Sequence, residues 1–399
     1  MTKPRIVISI ETLLSGGAES FAVRLANHVC SQFEVSLIVV KGNLFDKSVA
    51  KKLDRSVHLV RIDFPLEWFI RKFDGALLRL GIDYSLRDHL VATYIRKFLK
   101  GNQIGLIHSN QFKVDYIFLR ANERLHIPHL ITVHGDYLNF SERSKQNTLR
   151  IIQFEQKAKR VLQSVDKIVY ISDHQLEFII SDLGLSAIAR NTIKLYNGVE
   201  TEVAGSEPVT SARFKRKEFV FGMVARGIRE KGWEESIKAF KKIYVPGVQL
   251  VLVGKSDYLD ELKKVYRHED IYFAGYSEYP VEWVGLFDVG LLPSTFASES
   301  LPTSVIEYIM MGKPVVASDK GEIRKMLEDG NDKCGIVVEI KDNRIDEQEL
   351  ATAMEMLWRN KELYNKMASQ TKKFAAYFDM KNCGEAYMAV YHSLMKSRS

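Results

Sequence analysis

Short apolar runs alternate with amphipathic stretches from the first residues of the chain into its last quarter. Arg5–Ile10, Val35–Val40, Leu106–His108, His129–Val133, Lys167–Ile171 and Ile193–Tyr196 read as strands separated by helical segments, the alternation that predicts a parallel α/β sheet. After Asn197-Gly198-Val199 comes a polar stretch containing Gly205, Ser206, Glu207 and Pro208 with neither helical nor strand period, which predicts a linker. The pattern then restarts, with Phe219–Ala225, Gln249–Gly254, Ile271–Ala274, Val289–Leu292, Pro314–Ala317 and Gly335–Val338 as strands. From Glu347 the chain reads as helical to its end. Ala386, Met388, Val390, Tyr391 and Leu394 share roughly one face there, predicting a last helix that packs back on the first half. The expectation is an α/β protein of two doubly wound, Rossmann-like parallel-sheet domains, residues 1–202 and 203–376, with 377–399 returning to the first.

Length agrees, since 399 residues exceed what one ordinary core accommodates. With 46% hydrophobic and 27% charged residues the chain falls in the soluble globular class. Cys30, Cys334 and Cys383 are widely spaced and suggest neither a disulfide framework nor a zinc site. No signal peptide is evident, and no apolar run approaches the ~18 residues of a membrane-spanning helix. The cytoplasm is the expected compartment.

Charge is uneven. Residues 1–200 hold 28 Lys and Arg against 20 Asp and Glu, and the remainder 29 against 30. A basic first half suits nucleic acid, an anionic membrane surface or a phosphorylated substrate, and charge alone does not choose. One segment departs from the alternation: Phe64–Lys100 mixes Trp68, Phe69, Phe73, Leu77, Leu78 and Leu80 with Arg71, Lys72, Arg79, Arg96 and Lys97. It reads either as a helical pair whose apolar face covers the first domain or as a surface lying on an anionic bilayer, and both can hold.

The chemistry concentrates between Pro293 and Glu307, after one strand and before the next. Glu299 and Glu307 stand eight residues apart, and Pro302 suits the first position of a helix running from about Leu301 to Met311 and ended by Gly312. The helix start offers free amides and a positive dipole end to a diphosphate at Leu301, Pro302 and Thr303. A fully helical span separates the two carboxylates by ~12 Å, so they can bracket a nucleotide-sugar and accept hydroxyls at its two ends.

This Glu-x7-Glu pattern resembles that of the retaining glycosyltransferases of family 4, which have the GT-B fold of two domains facing across a cleft. The resemblance implies that Glu307 holds the donor ribose, Glu299 the transferred sugar, and the amides of Leu301–Thr303 the diphosphate. It extends to Arg226, which ends the first strand of the second half, and to Lys231, five residues further at a helix start, which together match the family's cation pair. Two cations on one diphosphate neutralise charge that grows as the nucleotide leaves. In the first half, Gly16 and Gly17, in Ser15-Gly16-Gly17-Ala18-Glu19, resemble the family's glycine loop. His134, in Val133-His134-Gly135-Asp136, resembles its His-Gly element and is the candidate sugar contact. Tyr276 in Phe273-Ala274-Gly275-Tyr276 resembles the nucleobase border, while Asn197-Gly198-Val199, Val253-Gly254 and Asp288 are further matches. His108 and Asn110 also end a strand, where a buried, hydrogen-bonded histidine is as good a reading.

Catalytic residues are thus expected at Arg226, Lys231, Glu299 and His134, with the donor held at Gly16, Gly17, Tyr276, Leu301, Pro302, Thr303 and Glu307. No metal site and no cofactor are expected, because no Asp-x-Asp pair ends a strand. The implied donor is a nucleotide diphosphate sugar, a UDP-sugar ahead of a GDP-sugar. The implied acceptor is a glycan or lipid-linked hydroxyl in surface-polysaccharide assembly, with peripheral contact to the inner membrane face open and no nucleic acid partner. A nucleotide-sugar epimerase of the same fold and a non-catalytic basic binding protein are the alternatives.

Overall fold

The structure is a computed structural model that describes residues 3–14, 16–64, 67–135, 137, 148–200 and 214–397, the side chains of residues 71 and 148–151 excepted. Ser15, Asp136 and the expected linker around Gly205 lie outside the described residues. The chain forms two compact units, one of residues 1–198 with 380–399 and the other of residues 199–379.

The first unit is built on a seven-stranded parallel sheet. Its strands are β1 (Arg5–Ile10), β2 (Glu34–Val39), β3 (His58–Arg61), β4 (Leu106–Asn110), β5 (His129–Val133), β6 (Lys167–Tyr170) and β7 (Thr192–Lys194). They lie in the order β3-β2-β1-β4-β5-β6-β7. Successive side chains of a strand point to opposite faces, and both faces here are apolar. Ile6, Ile8 and Ile10 enter the core under the first helix, Gly17–Val29, and Val7 enters the core on the other face with Ile38 and Ile107. Burial on both sides is what right-handed crossovers impose on an all-parallel sheet.

The final helix, Met380–Lys396, belongs to this unit. Its Met380, Cys383, Tyr387, Met388 and Tyr391 join the core beside the first helix, as the one-sided apolar pattern predicts. Two tyrosines carry their hydroxyls into the sheet. Tyr391 Oη lies 2.6 Å from His108 Nδ1, and Tyr387 Oη lies 3.0 Å from Thr132 Oγ1, which is itself 2.8 Å from His108 Nε2. His108 is therefore a satisfied core histidine.

The second unit holds a six-stranded parallel sheet: β8 (Phe219–Val224), β9 (Val248–Val253), β10 (Ile271–Gly275), β11 (Val289–Leu292), β12 (Val315–Ser318) and the edge strand Gly335–Val338. The order β10-β9-β8-β11-β12 followed by that edge strand places β8 beside β11, the point at which successive strands begin to be added on the opposite side of the sheet. Loops leaving the carboxyl ends of two such strands diverge to opposite faces and open a crevice, the usual ligand position in a doubly wound sheet. The corresponding switch in the first unit lies between β1 and β4.

Two expectations change. β3 is a strand that the apolar pattern does not reveal, being four residues long with exposed His58 and Arg61 at its ends. In Phe64–Lys100 the two helices behave differently. Leu86–Gly101 covers the sheet with Val91, Ala92, Ile95 and Leu99, whereas Glu67–Arg79 leaves Trp68, Phe69 and Phe73 exposed. The covering role is thus filled by one of them.

Candidate active site

The loops after β8 and β11 meet at the switch point of the second unit. Arg226 follows β8 with an exposed side chain, its carbonyl accepting a hydrogen bond from Trp233 Nε1 at 3.0 Å. A 3-10 turn, Arg229–Lys231, then leads to Gly232 at φ 82°, which caps the helix Trp233–Ile243. Only glycine fits there: a Cβ would stand 2.1 Å from the carbonyl oxygen of Pro293, in the loop after β11. That close approach joins the two loops, and Thr295 N donating to Glu230 O at 2.7 Å repeats the tie.

Lys231 is buried and gives its ammonium to Glu299, Nζ to Oε2 at 2.5 Å, with the side chains 9% and 7% exposed. Ser294 Oγ donates to the same carboxylate oxygen at 2.7 Å. A buried charge pair needs such additional hydrogen bonds to offset desolvation. Phe296 lies beneath both cations, its ring centroid 5.0 Å from Lys231 Nζ and 5.1 Å from the Arg226 guanidinium carbon. The structure brings Arg226, Lys231 and Glu299 together around the Phe296 ring. Ser294 and Phe296 sit inside the motif, yet nothing in the linear pattern gives them these contacts.

The backbone on the far side of Glu299 is clamped as well. Gly321, at φ 61° after β12, lies so close that a Cβ would stand 2.0 Å from Glu299 O, and Glu322 N donates to Ser300 O at 2.9 Å. A glycine just past a strand was the available signal for this contact, and sequence reasoning missed it.

The helix beyond runs Thr303–Met310, shorter than expected. Pro302 is its N-cap and not its first helical residue, because ψ is 119°. Pro302 O accepts from Val305 and Ile306, no side chain caps the end, and the first turn has no acid. The first amides of a helix have no intrahelical acceptor, so Thr303 and Ser304 present theirs, four and five residues after Glu299, with the positive end of the dipole. Glu307, half-buried, lies on the second turn. Met311 is the C-cap, and Gly312 at φ 73° follows it. The next residue on the helix, Tyr308, fixes the whole arrangement: its buried hydroxyl accepts from Val224 N at 2.7 Å and donates to Leu291 O at 3.3 Å, tying the helix to the ends of β8 and β11.

Other matches fall elsewhere in the second unit. Tyr276 follows Gly275 after β10 and is 69% exposed. Asp288 is structural, accepting both hydrogen bonds of Arg216 Nη2 at 2.9 and 2.8 Å and that of Val220 N at 2.7 Å.

In the first unit, Gly16 is the N-cap of the first helix and Gly17 its first residue. A Cβ on Gly16 would stand 2.2 Å from the carboxylate of Glu19, so this glycine makes room for a side chain of its own helix. His134 follows β5, 6% exposed, with Nε2 3.1 Å from Asn110 Oδ1 and its ring edge-on to Phe21. Asn110 Nδ2 donates to Ser9 O, which fixes the amide orientation, so His134 Nε2 carries the proton and Nδ1 is left as an acceptor. Burial pulls the His134 pKa from 6.5 down to about 4, so the ring is neutral at pH 7.

Comparison with known proteins accords with this geometry. Residues 15–203 match the family model "Glycosyltransferase Family 4", and residues 209–374 match "Glycosyl transferases group 1". A Campylobacter jejuni enzyme, N-acetylgalactosamine-N,N'-diacetylbacillosaminyl-diphospho-undecaprenol 4-alpha-N-acetylgalactosaminyltransferase, is 24% identical over 380 residues, covering 93% of this chain and 95% of that enzyme. Among solved structures, Anabaena HepE in complex with UDP superposes with a TM-score of 0.73 at 18% identity, over 98% of this chain and all of that one. Sucrose-phosphate synthase from Thermosynechococcus elongatus does so with a TM-score of 0.73 at 18% identity, over 99% of this chain and 100% of that one. These matches lend no weight to the epimerase or binding-protein readings. Two consecutive family matches spanning nearly the whole chain, on two parallel-sheet units of the GT-B kind, show that the protein belongs to the family 4 glycosyltransferases.

Proposed function

We propose that the protein moves a hexosyl group, with retention at the anomeric carbon and without a metal ion, from a nucleotide diphosphate sugar to a hydroxyl of a lipid-linked glycan on the cytoplasmic side of a membrane, in surface-polysaccharide assembly. One observation carries the reading: Glu299, paired with Lys231, stands four residues before an uncapped helix N-terminus, with Lys231 and Arg226 over one ring, that of Phe296. The segment Leu301–Thr303 takes the diphosphate with the amides of Leu301 and Thr303, joined by that of Ser304, while Pro302 shapes the backbone without a donor of its own. Arg226 and Lys231 supply the charge that a metal ion supplies in other transferases. A diphosphate there competes for the Lys231 ammonium and releases Glu299 Oε2 to accept sugar hydroxyls. Glu307 accepts the ribose hydroxyls, Tyr276 borders the base, and His134 Nδ1 accepts from a sugar hydroxyl. The Gly16-Gly17 turn remains the proposed place where substrate meets the first helix.

In the step itself the bond from the anomeric carbon to the diphosphate oxygen breaks, and the acceptor oxygen bonds to that carbon from the same face. The acceptor proton passes to the departing phosphate oxygen, and the two cations stabilise the charge that develops there. UDP is the favoured nucleotide, in line with the UDP held by HepE, and the lipid-linked acceptor is in line with the diphospho-undecaprenol acceptor in the Campylobacter enzyme's name.

The experiment is a donor screen by thermal shift, followed by transfer from the best donor to a synthetic lipid-diphosphate glycan in the presence and absence of EDTA. A UDP-sugar should raise the unfolding midpoint, the product should keep the donor's anomeric configuration by NMR, and EDTA should leave the rate unchanged. An inverted product or a rate abolished by EDTA overturns the mechanism.

A further inference from the structure

The helix Glu67–Arg79 is amphipathic in the wrong direction for a helix of a folded core. Trp68 is 58% exposed, Phe69 59%, Phe73 50% and, in the residue directly after the helix, Leu80 74%. At 100° per residue, positions 68, 69, 72, 73, 76 and 79 share one side, so the aromatic residues form a stripe with Lys72 and Arg79 among them. Ile82 and Tyr84 extend the apolar surface into the following turn. Trp68 and Phe69 pack edge to face at 4.6 Å, and Lys72 Nζ lies 3.9 Å over the Trp68 ring.

What holds the helix to the protein is its acidic side. Glu67 pairs with buried Arg87 at 3.1 Å, whose Nη2 donates to Val40 O. Asp74 accepts from Ser85 Oγ and from Leu86 N, each at 2.8 Å, capping the next helix. Asp83 is engaged by Lys157. All three carboxylates between residues 67 and 84 are thus occupied by protein groups, while Lys72 and Arg79 have no carboxylate within ion-pair distance among the described residues. The outward face therefore offers bulky apolar groups and cations with no free anion. A surface helix ordinarily turns its apolar face inward, as Leu86–Gly101 does here.

We propose that this face docks on an anionic lipid bilayer, with Trp68, Phe69, Phe73 and Leu80 entering the headgroup boundary and Lys72 and Arg79 meeting lipid phosphates. A second copy of the chain is the poorer occupant, because twofold packing of this face sets Lys72 and Arg79 against their own kind. The proposal names the surface on which the lipid-linked acceptor proposed above is met, and to that extent rests on it. Vesicle binding is measured without donor or acceptor, so the two readings fail separately.

The test is co-sedimentation of the full chain with vesicles of phosphatidylglycerol and phosphatidylethanolamine, against phosphatidylcholine alone, at low salt. Binding to the anionic vesicles should be at least tenfold stronger than to the neutral ones. Trp68→Ser/Phe69→Ser/Phe73→Ser should lower it at least tenfold, and Lys72→Glu/Arg79→Glu should abolish the preference for anionic lipid. Transfer to a water-soluble acceptor should stay at the parent rate in both variants. Failure of the parent chain to pellet with anionic vesicles overturns the proposal, and so does a triple variant that pellets equally well. A parent dimer that the triple variant converts to monomer, with no vesicle binding by either, assigns the face to self-association and overturns it too. Should the triple variant lose its fold by circular dichroism, the charge-reversal pair carries the same decision.

Discussion

Glu299 is held by two donors of different kinds, and the difference separates a structural role from a chemical one. Lys231 neutralises it and Ser294 orients it. Removing the cation strands a buried carboxylate, a change that typically costs about 3–5 kcal/mol. Lys231→Ala is therefore expected to lower both the unfolding midpoint and kcat/KM, the latter at least 100-fold. The double variant Lys231→Met/Glu299→Gln should regain most of the stability and none of the activity, whereas Glu307→Ala should lose activity. Wild-type turnover in the double variant would contradict the roles given to both residues. Gly321→Ala puts a methyl against the Glu299 carbonyl at a positive φ, so it should cost about 1–3 kcal/mol and raise KM for the donor, read by urea unfolding and steady-state kinetics. The charged members of this cluster were legible in the sequence because their spacing is a pattern. Gly321 and Phe296 were not, since their contacts are made between loops far apart in the chain.

At the scale of elements, the strands were readable where burial on both faces makes them continuously apolar, and unreadable at β3, where an edge position leaves His58 and Arg61 in solvent. The Trp68 helix was readable as amphipathic, but periodicity reports only that a helix has two faces. Which face turns inward is decided by partners such as Arg87, whose pairing with Glu67 is invisible in the local sequence. The last helix is the opposite case, since its apolar stripe and its burial agree. Its tie to the sheet is polar as well as apolar, and Tyr391→Phe tests that part. The substitution leaves His108 Nδ1 buried without its partner, so the first unit should lose about 1–3 kcal/mol while donor affinity is kept. Equal stability in the two proteins would mean that the hydrogen bond contributes nothing net.

For the whole molecule, acid is the informative stress. His108, His129 and His134 all lie in the first unit, and burial holds His108 well below 6.5, His129 at about 3 and His134 at about 4. A lowered histidine pKa favours the neutral ring in the native state, so the unfolded chain takes up protons first as pH falls below about 6.5. The stabilisation is complete above that value and declines toward pH 4, by up to about 1.4 kcal/mol per pH unit for each histidine. Urea unfolding between pH 7 and pH 5 should show that decline, and His129→Gln should flatten it by about a third. A stability independent of pH over that range would exclude native-state burial of neutral imidazoles. The chain path adds a consequence for biogenesis. Residues 199–379 leave and rejoin the first unit at neighbouring points, Val199 N donating to Phe378 O at 2.8 Å, and Tyr387 and Tyr391 arrive only afterwards. During synthesis the half made first must therefore wait, its core open along one helix, until the half made second has been completed and the last turns have cleared the ribosome.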